Sequence, residues 1–167
     1  MLSYQKIRNS YCSTFTRACT CTPFAIARYL PRISGPLLDR IDLHVEVPPV
    51  DYDALAGTAA GEASSAILAR VTAARGRQQQ RYAAHGISCN AQLTPKLLRR
   101  YCTPTPAADR LLRLAFEKMG LSARAYDRVL KVSRTIADLD GAEQIDSAHV
   151  SEAIQYRNLD RKYWHSN

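Results

Sequence analysis

Two arginines and a group of cysteines are the residues whose type and spacing suggest chemistry. Arg124 comes two residues after Ser122, a good helix N-cap, and so falls in the first turn of a predicted helix. A cation there opposes the helix dipole by about 0.3–1 kcal/mol. That placement makes sense where an anion such as a phosphate sits at the helix start; the alternative is a side chain extended into water. Arg40 stands between Asp39 and Asp42, and from spacing alone it reads as a surface cation paired with one of them. Cys12, Cys19 and Cys21 invite a zinc site, but such sites commonly take four ligands in closely spaced pairs, so free thiols are preferred over zinc. Cys89 and Cys102 read as packing residues or as incidental.

Phosphoryl transfer needs a glycine-rich loop with a lysine for the phosphates, acidic residues for the metal and water, and positive charge for the transition state. None of the seven glycines begins a GxxxxGK[ST] pattern, and no apolar run ends in Asp-Glu. These 167 residues therefore hold no Walker A or Walker B element. Arg128 and Arg134 are expected to be solvated or paired with Asp127 and Asp138. Near the end, Tyr156, Arg157, Arg161, Lys162, Tyr163 and Trp164 interleave bases with aromatics. Such a tail suits single-stranded nucleic acid, through phosphate contacts and base stacking. More often such a stretch is a frayed helix end with an aromatic folded back, and that reading is preferred.

The elements that must position these residues are mostly helical. Phe24 to Leu30 suits a short helix, with Pro23 in its first turn. Residues 33–40 read as a turn with an apolar patch. Ile41, Leu43, Val45 and Val47 then alternate with Asp42, His44 and Glu46, the period-two pattern of a strand with one buried face. Pro48-Pro49 stops it. After a linker over 51–63 the spacing predicts five helices. Ile67, Val71, Ala74 and Gln78 form the stripe of the first, which should end at Gly86. Thr94-Pro95 and Thr105-Pro106 give cap-and-proline starts. Leu93 is placed to staple onto Leu98, and Ile145 onto Val150. Ala108, Leu111, Leu112, Ala115 and Met119 repeat at helical spacing until Gly120, and Tyr126, Val129, Leu130, Ser133 and Ile136 do so until Gly141. Asp146 caps the last helix.

The expected fold is therefore mainly α: a helical bundle over 64–158, preceded over 23–50 by one strand and a short helix. Residues 1–22 form an unmatched N-terminal segment, where disorder is expected, and 159–167 form a tail. A lone strand cannot fold by itself, so its sheet partners are expected in chain upstream of this sequence. The formal charge of +8 favours anionic partners, DNA among them; an arginine-rich composition spread over solvated helix faces is the competing reading. No apolar run approaches the ~20 residues of a membrane span, and no signal-peptide core is present, so a cytoplasmic location and no membrane partner are expected.

SGPLLDRIDLHVEVP (residues 34–48) and LSARAYDRVLKVSRTIADL (residues 121–139) resemble signature stretches of the ComM/YifB, magnesium-chelatase-like AAA+ ATPases. Residues 90–93 (NAQL), 153–157 (AIQYR) and the segment from Cys19 to Tyr29 fit the same family. In ComM-like proteins a second cysteine pair precedes the present one; here only Cys12 remains. The resemblance implies an α/β AAA+ core followed by a helical lid, assembled as a ring, with ATP and Mg²⁺ as cofactors of the complete protein. It associates the family with DNA branch migration in natural transformation. By position, Arg40 matches the arginine finger, which acts in trans on the neighbouring subunit's γ-phosphate, and Arg124 matches the second sensor. The implied function is that of a C-terminal fragment of a ring ATPase, supplying finger, sensor and lid to a core or to full-length subunits, and inactive on ATP alone. The alternative is a stand-alone helical interaction or DNA-binding module that regulates a full-length homologue. Metal insertion into porphyrin, known in the wider kinship, ranks last because no residue here reads a porphyrin.

Overall fold

The computed structural model describes residues 61–157 without a break and, ahead of them, Thr22, Phe24, Arg28, Leu37, residues 39–45, Val47 and Tyr52. Five α-helices fill the continuous stretch: α1 (Ser64–Tyr82), α2 (Pro95–Tyr101), α3 (Pro106–Met119), α4 (Ala123–Asp140) and α5 (Ser147–Gln155). Short 3₁₀ turns at Ala83–His85 and Asn90–Gln92 connect α1 to α2. The protein is mainly α, as expected. Phe24 and Arg28, in the segment expected to be a short helix, are helical, as is Tyr52 in the expected linker.

Local chemistry sets the helix starts. Thr94 Oγ1 accepts from the Leu97 amide at 3.5 Å, Thr105 Oγ1 from Ala108 at 3.3 Å, and Ser122 Oγ from Ala125 at 3.1 Å. Asp146 accepts from the Ser147 amide at 2.7 Å, while the Asp146 amide donates to His149 Nδ1 at 2.9 Å, closing a capping box. Each cap of this kind is worth about 1 kcal/mol. α3 and α4 end on glycines in the left-handed region, Gly120 and Gly141. At Gly141, with φ +76°, an added Cβ would also lie 3.0 Å from the Arg77 guanidinium. Gly141→Ala is accordingly expected to lower stability by about 1–2 kcal/mol, read as a reduced urea midpoint with an unchanged slope.

α4 is the centre of the bundle. It packs on α5, α1, α2 and the Asn90–Gln92 turn, while α3 packs on α5. Leu112, Val129, Ile145 and Val150 are fully or almost fully buried in one cluster with Tyr82, Leu93, Leu98, Cys102 and Ile136. Burying a side chain of that size contributes about 1.5–3 kcal/mol. Leu93 and Leu98, and likewise Ile145 and Val150, enter this core as the stapling pattern predicts. Pro104 and Ile145 form an isolated parallel bridge, with the Thr105 amide donating to the Ile145 carbonyl at 2.9 Å.

Two expectations need correction. The stripe predicted for α1 is buried only in its second half, at Ala74, Gln78 and Tyr82; Ile67, Leu68 and Val71 are exposed. The early turns of α1 carry the right spacing but are left exposed. The alternating segment also forms no strand at residues 41–45 or at Val47. Its polar His44 is buried, whereas Ile41, Leu43, Val45 and Val47 are 37–62% exposed. Alternation specifies two faces but supplies no hydrogen-bonding neighbour, and a ladder needs one.

Candidate functional site

The residues that could meet an anion gather on one face of α4. Arg124, Arg128 and Lys131 follow one another at intervals of four and three, so they share that face. They line a cleft of about 510 Å³ together with Thr135 and Leu139, the Asp42–Leu43 segment opposite, and Glu152 and Tyr156 from the end of α5. The three cations differ in their commitments. Arg128 is ion-paired with Asp42. Lys131 Nζ donates to the Ala91 carbonyl at 3.1 Å. Arg124 is exposed, and its side chain makes no hydrogen bond or ion pair with any described residue. Its position in the first turn of α4 follows directly from the Ser122 cap. It also borders a second groove, of about 720 Å³, whose wall carries Arg99 and Arg113 from α2 and α3.

Arg40 occupies a different place. It is exposed in a turn closed by its own amide, which donates to the Leu37 carbonyl at 3.0 Å, and it is not among the residues lining the Arg124 cleft. Of the two described clefts that Arg124 borders, Arg40 lines neither. The segment after Arg40 is strapped to the helical domain. The His44 amide donates to the Tyr156 carbonyl at 2.8 Å, Asp42 pairs with Arg128, and Arg157 donates to the Ile41 carbonyl at 3.0 Å.

That last contact fixes the place of Arg157 among the C-terminal basic residues. Arg157 is only 1% exposed, so it is a buried structural cation and not part of a solvated phosphate-binding tail. Tyr156 hydrogen-bonds Glu152 at 3.2 Å. Arg161, Lys162, Tyr163 and Trp164 lie outside the described residues, as do Cys12, Cys19 and Cys21. Among the described residues no group of three or more His, Cys, Asp or Glu side chains is placed to hold a metal. Cys102 is a packing residue, its thiol pushed up to about 12 by burial. Cys89 is half-buried; burial raises its thiol, but Arg75 and the Gln92 and Ala91 amides outweigh this and hold it below the usual range.

Behind the cleft lies a polar network that no sequence pattern signals as a unit. Asp138, fully buried, accepts from Arg81 at 2.5 and 3.0 Å, from Arg134 Nε at 3.1 Å and from the Asn90 amide at 2.8 Å. Arg134, 2% exposed, spends its other nitrogens on the Ala142 and Glu143 carbonyls at 2.6 and 2.7 Å. Tyr82 donates to Asn90 at 2.7 Å, and Arg77 to the Asp138 carbonyl at 2.8 Å. The Arg134–Asp138 spacing is legible in the sequence, but i,i+4 pairs are ordinarily solvated. Their burial comes from α1 folding across α4. This network fixes α4, and with it the helix that carries Arg124.

Comparison with known proteins agrees with this architecture. Residues 61–157 match the family model for the C-terminal part of magnesium chelatase subunit ChlI, and residues 3–55 match the model for magnesium chelatase subunit ChlI itself, so the match extends into the segment over 1–22 expected to be unmatched. The competence protein ComM of Haemophilus influenzae is 43% identical over 141 residues, covering 84% of this chain and 27% of the relative. The YifB protein of Salmonella typhimurium is 42% identical over 146 residues, covering 87% of this chain and 28% of the relative. The chain thus spans little more than a quarter of the length of these relatives. No helix among the described residues is long and apolar enough to cross a membrane. With its bundle matched from end to end and these relatives at more than 40% identity, the chain belongs to the ComM/YifB, magnesium-chelatase-like family.

Proposed function

We propose that this chain is the lid and arginine-bearing part of a ComM-type ring ATPase, acting on a nucleotide whose phosphates are cradled by a separate core. The observation that carries this reading is Arg124: an exposed guanidinium without a partner among the described residues, in the first helical turn, on the wall of an open cleft. A cation placed against the helix dipole is stabilised when an anion joins it, and a triphosphate supplies that anion. A bound Mg²⁺-nucleotide would bring the transferable phosphoryl group. This chain's residues would neutralise charge, orient and exclude water. Arg124 would contact the phosphates of the core to which the lid is joined. Arg40, lying outside the Arg124 cleft, would serve the neighbouring subunit. DNA is the proposed substrate of the complete assembly, supported by the +8 charge and in keeping with the similarity to the competence protein ComM.

The test joins this chain to the nucleotide-binding core of a relative. The isolated 167 residues are expected to show no ATP turnover above a buffer blank, and the joined protein to hydrolyse ATP. Arg124→Ala in the joined protein is expected to lower kcat/KM by about ten- to a hundredfold, the value of one charge-assisted hydrogen bond. Turnover unchanged by that substitution would remove Arg124 from the site.

A further inference from the structure

Arg157 touches both chain neighbours of Arg40. Its Nη1 donates to the Ile41 carbonyl at 3.0 Å, and its Nη2 lies 3.8 Å from the Asp39 carboxylate. The guanidinium is 1% exposed, while Asp39 is about one-third exposed. Burying a cation costs several kcal/mol unless it is well paired, so a guanidinium in this position implies a fixed arrangement around it. Three further contacts tighten the same place. The Arg40 amide closes its turn on the Leu37 carbonyl, the His44 amide donates to the Tyr156 carbonyl beside Arg157, and Asp42 pairs with Arg128 of α4. The Arg157 amide itself donates to the Ile154 carbonyl at 2.9 Å, which ties the clamp to the last turn of α5.

We propose that Arg157 is a positioning residue that holds the Arg40 turn in a fixed orientation against the end of α5. It rests on the reading of Arg40 as a trans-acting arginine, and it adds to that reading a physical link between the lid and the finger. Arginine suits the task because one planar fork can serve a carbonyl and a carboxylate together, whereas a lysine offers a single point charge. Any displacement of α5, such as lid closure on a nucleotide, is thereby passed to the backbone on both sides of Arg40.

The first experiment uses the full chain and hydrogen exchange. In Arg157→Ala, protection of the Arg40 and His44 amides is expected to fall about tenfold or more, the loss of a bond to a charged group, while amides in α3 and α4 keep theirs. Undiminished protection at Arg40 and His44 in a folded variant overturns the proposal. Should Arg157→Ala fail to fold, Arg157→Lys decides: it keeps the charge but cannot span both partners, so selective loss at Arg40 and His44 supports the clamp and full retention overturns it. The second experiment uses the core-joined ring. Arg157→Lys is expected to lower kcat with KM for ATP unchanged, and to add little to Arg40→Ala in the double variant. If Arg40→Ala abolishes turnover while Arg157→Lys leaves kcat intact, the positioning role is wrong. If Arg157→Lys releases the two amides but Arg40→Ala leaves turnover intact, the clamp stands and the finger reading falls.

Discussion

Asp138→Ala is expected to lower the unfolding free energy by about 3–5 kcal/mol, the cost of removing one partner from a buried ion pair. The reason is the arrangement around this carboxylate. Arg81 and Arg134 both reach it, Asn90 donates to it, and it is fully buried. Without it two guanidinium groups confront each other, one of them in the interior. A domain of this size has a total stability of roughly 5–15 kcal/mol, so the variant should be marginally folded. Urea denaturation monitored by circular dichroism is the measurement. A loss below about 1 kcal/mol, the range of a surface pair, would show that the network contributes little.

The same carboxylate predicts a pH dependence. Burial raises the Asp138 carboxyl, but the bonds from Arg81 and Asn90 and the nearby Arg134 outweigh it, leaving the carboxyl below its usual range. In the unfolded chain an aspartate titrates near about 3.9. The unfolded state therefore binds the proton first as the pH falls, and the contribution is complete above that value. It is lost progressively as the pH drops toward and through the lower folded value. The parent should lose this increment below about pH 4, and Asp138→Ala should lack that part of the acid dependence.

Arg40→Ala is expected to lower kcat in the core-joined ring by about 10³-fold or more, the range observed when an arginine finger is supplied or withheld. KM for ATP should change little, because the interaction belongs to the transition state. The exposed turn that carries Arg40, apart from the Arg124 cleft, suits action on another subunit. Mixed rings test this directly. Subunits carrying Arg40→Ala, combined with subunits that retain Arg40 but have a disabled nucleotide-binding loop, should recover hydrolysis that neither shows alone. Recovery failing while mixed rings demonstrably form would place Arg40 in its own subunit's site or outside the chemistry. Arg124→Ala should not be rescued in that way, since its effect is within the joined subunit.

Four helix starts, two helix ends and the family are legible in the residues alone. Thr94, Thr105, Ser122 and Asp146 cap helices through bonds that close within one to three residues. Gly120 and Gly141 end helices because their own backbone angles allow it. Such effects need no knowledge of the rest of the chain. For the same reason the Ser122 cap alone is enough to place Arg124 in a first helical turn. What each charged group does beyond its own turn was decided only by the tertiary structure. Arg157 finds the Ile41 carbonyl 116 positions away, Arg128 finds Asp42 across 86, and Arg81 finds Asp138 across 57. No periodicity encodes such pairings, because a guanidinium on a helix face looks the same in sequence whether water or a carboxylate will meet it. The outward turn of Ile41, Leu43, Val45 and Val47 has the same origin. Alternation separates the faces, and only packing chooses which face is buried.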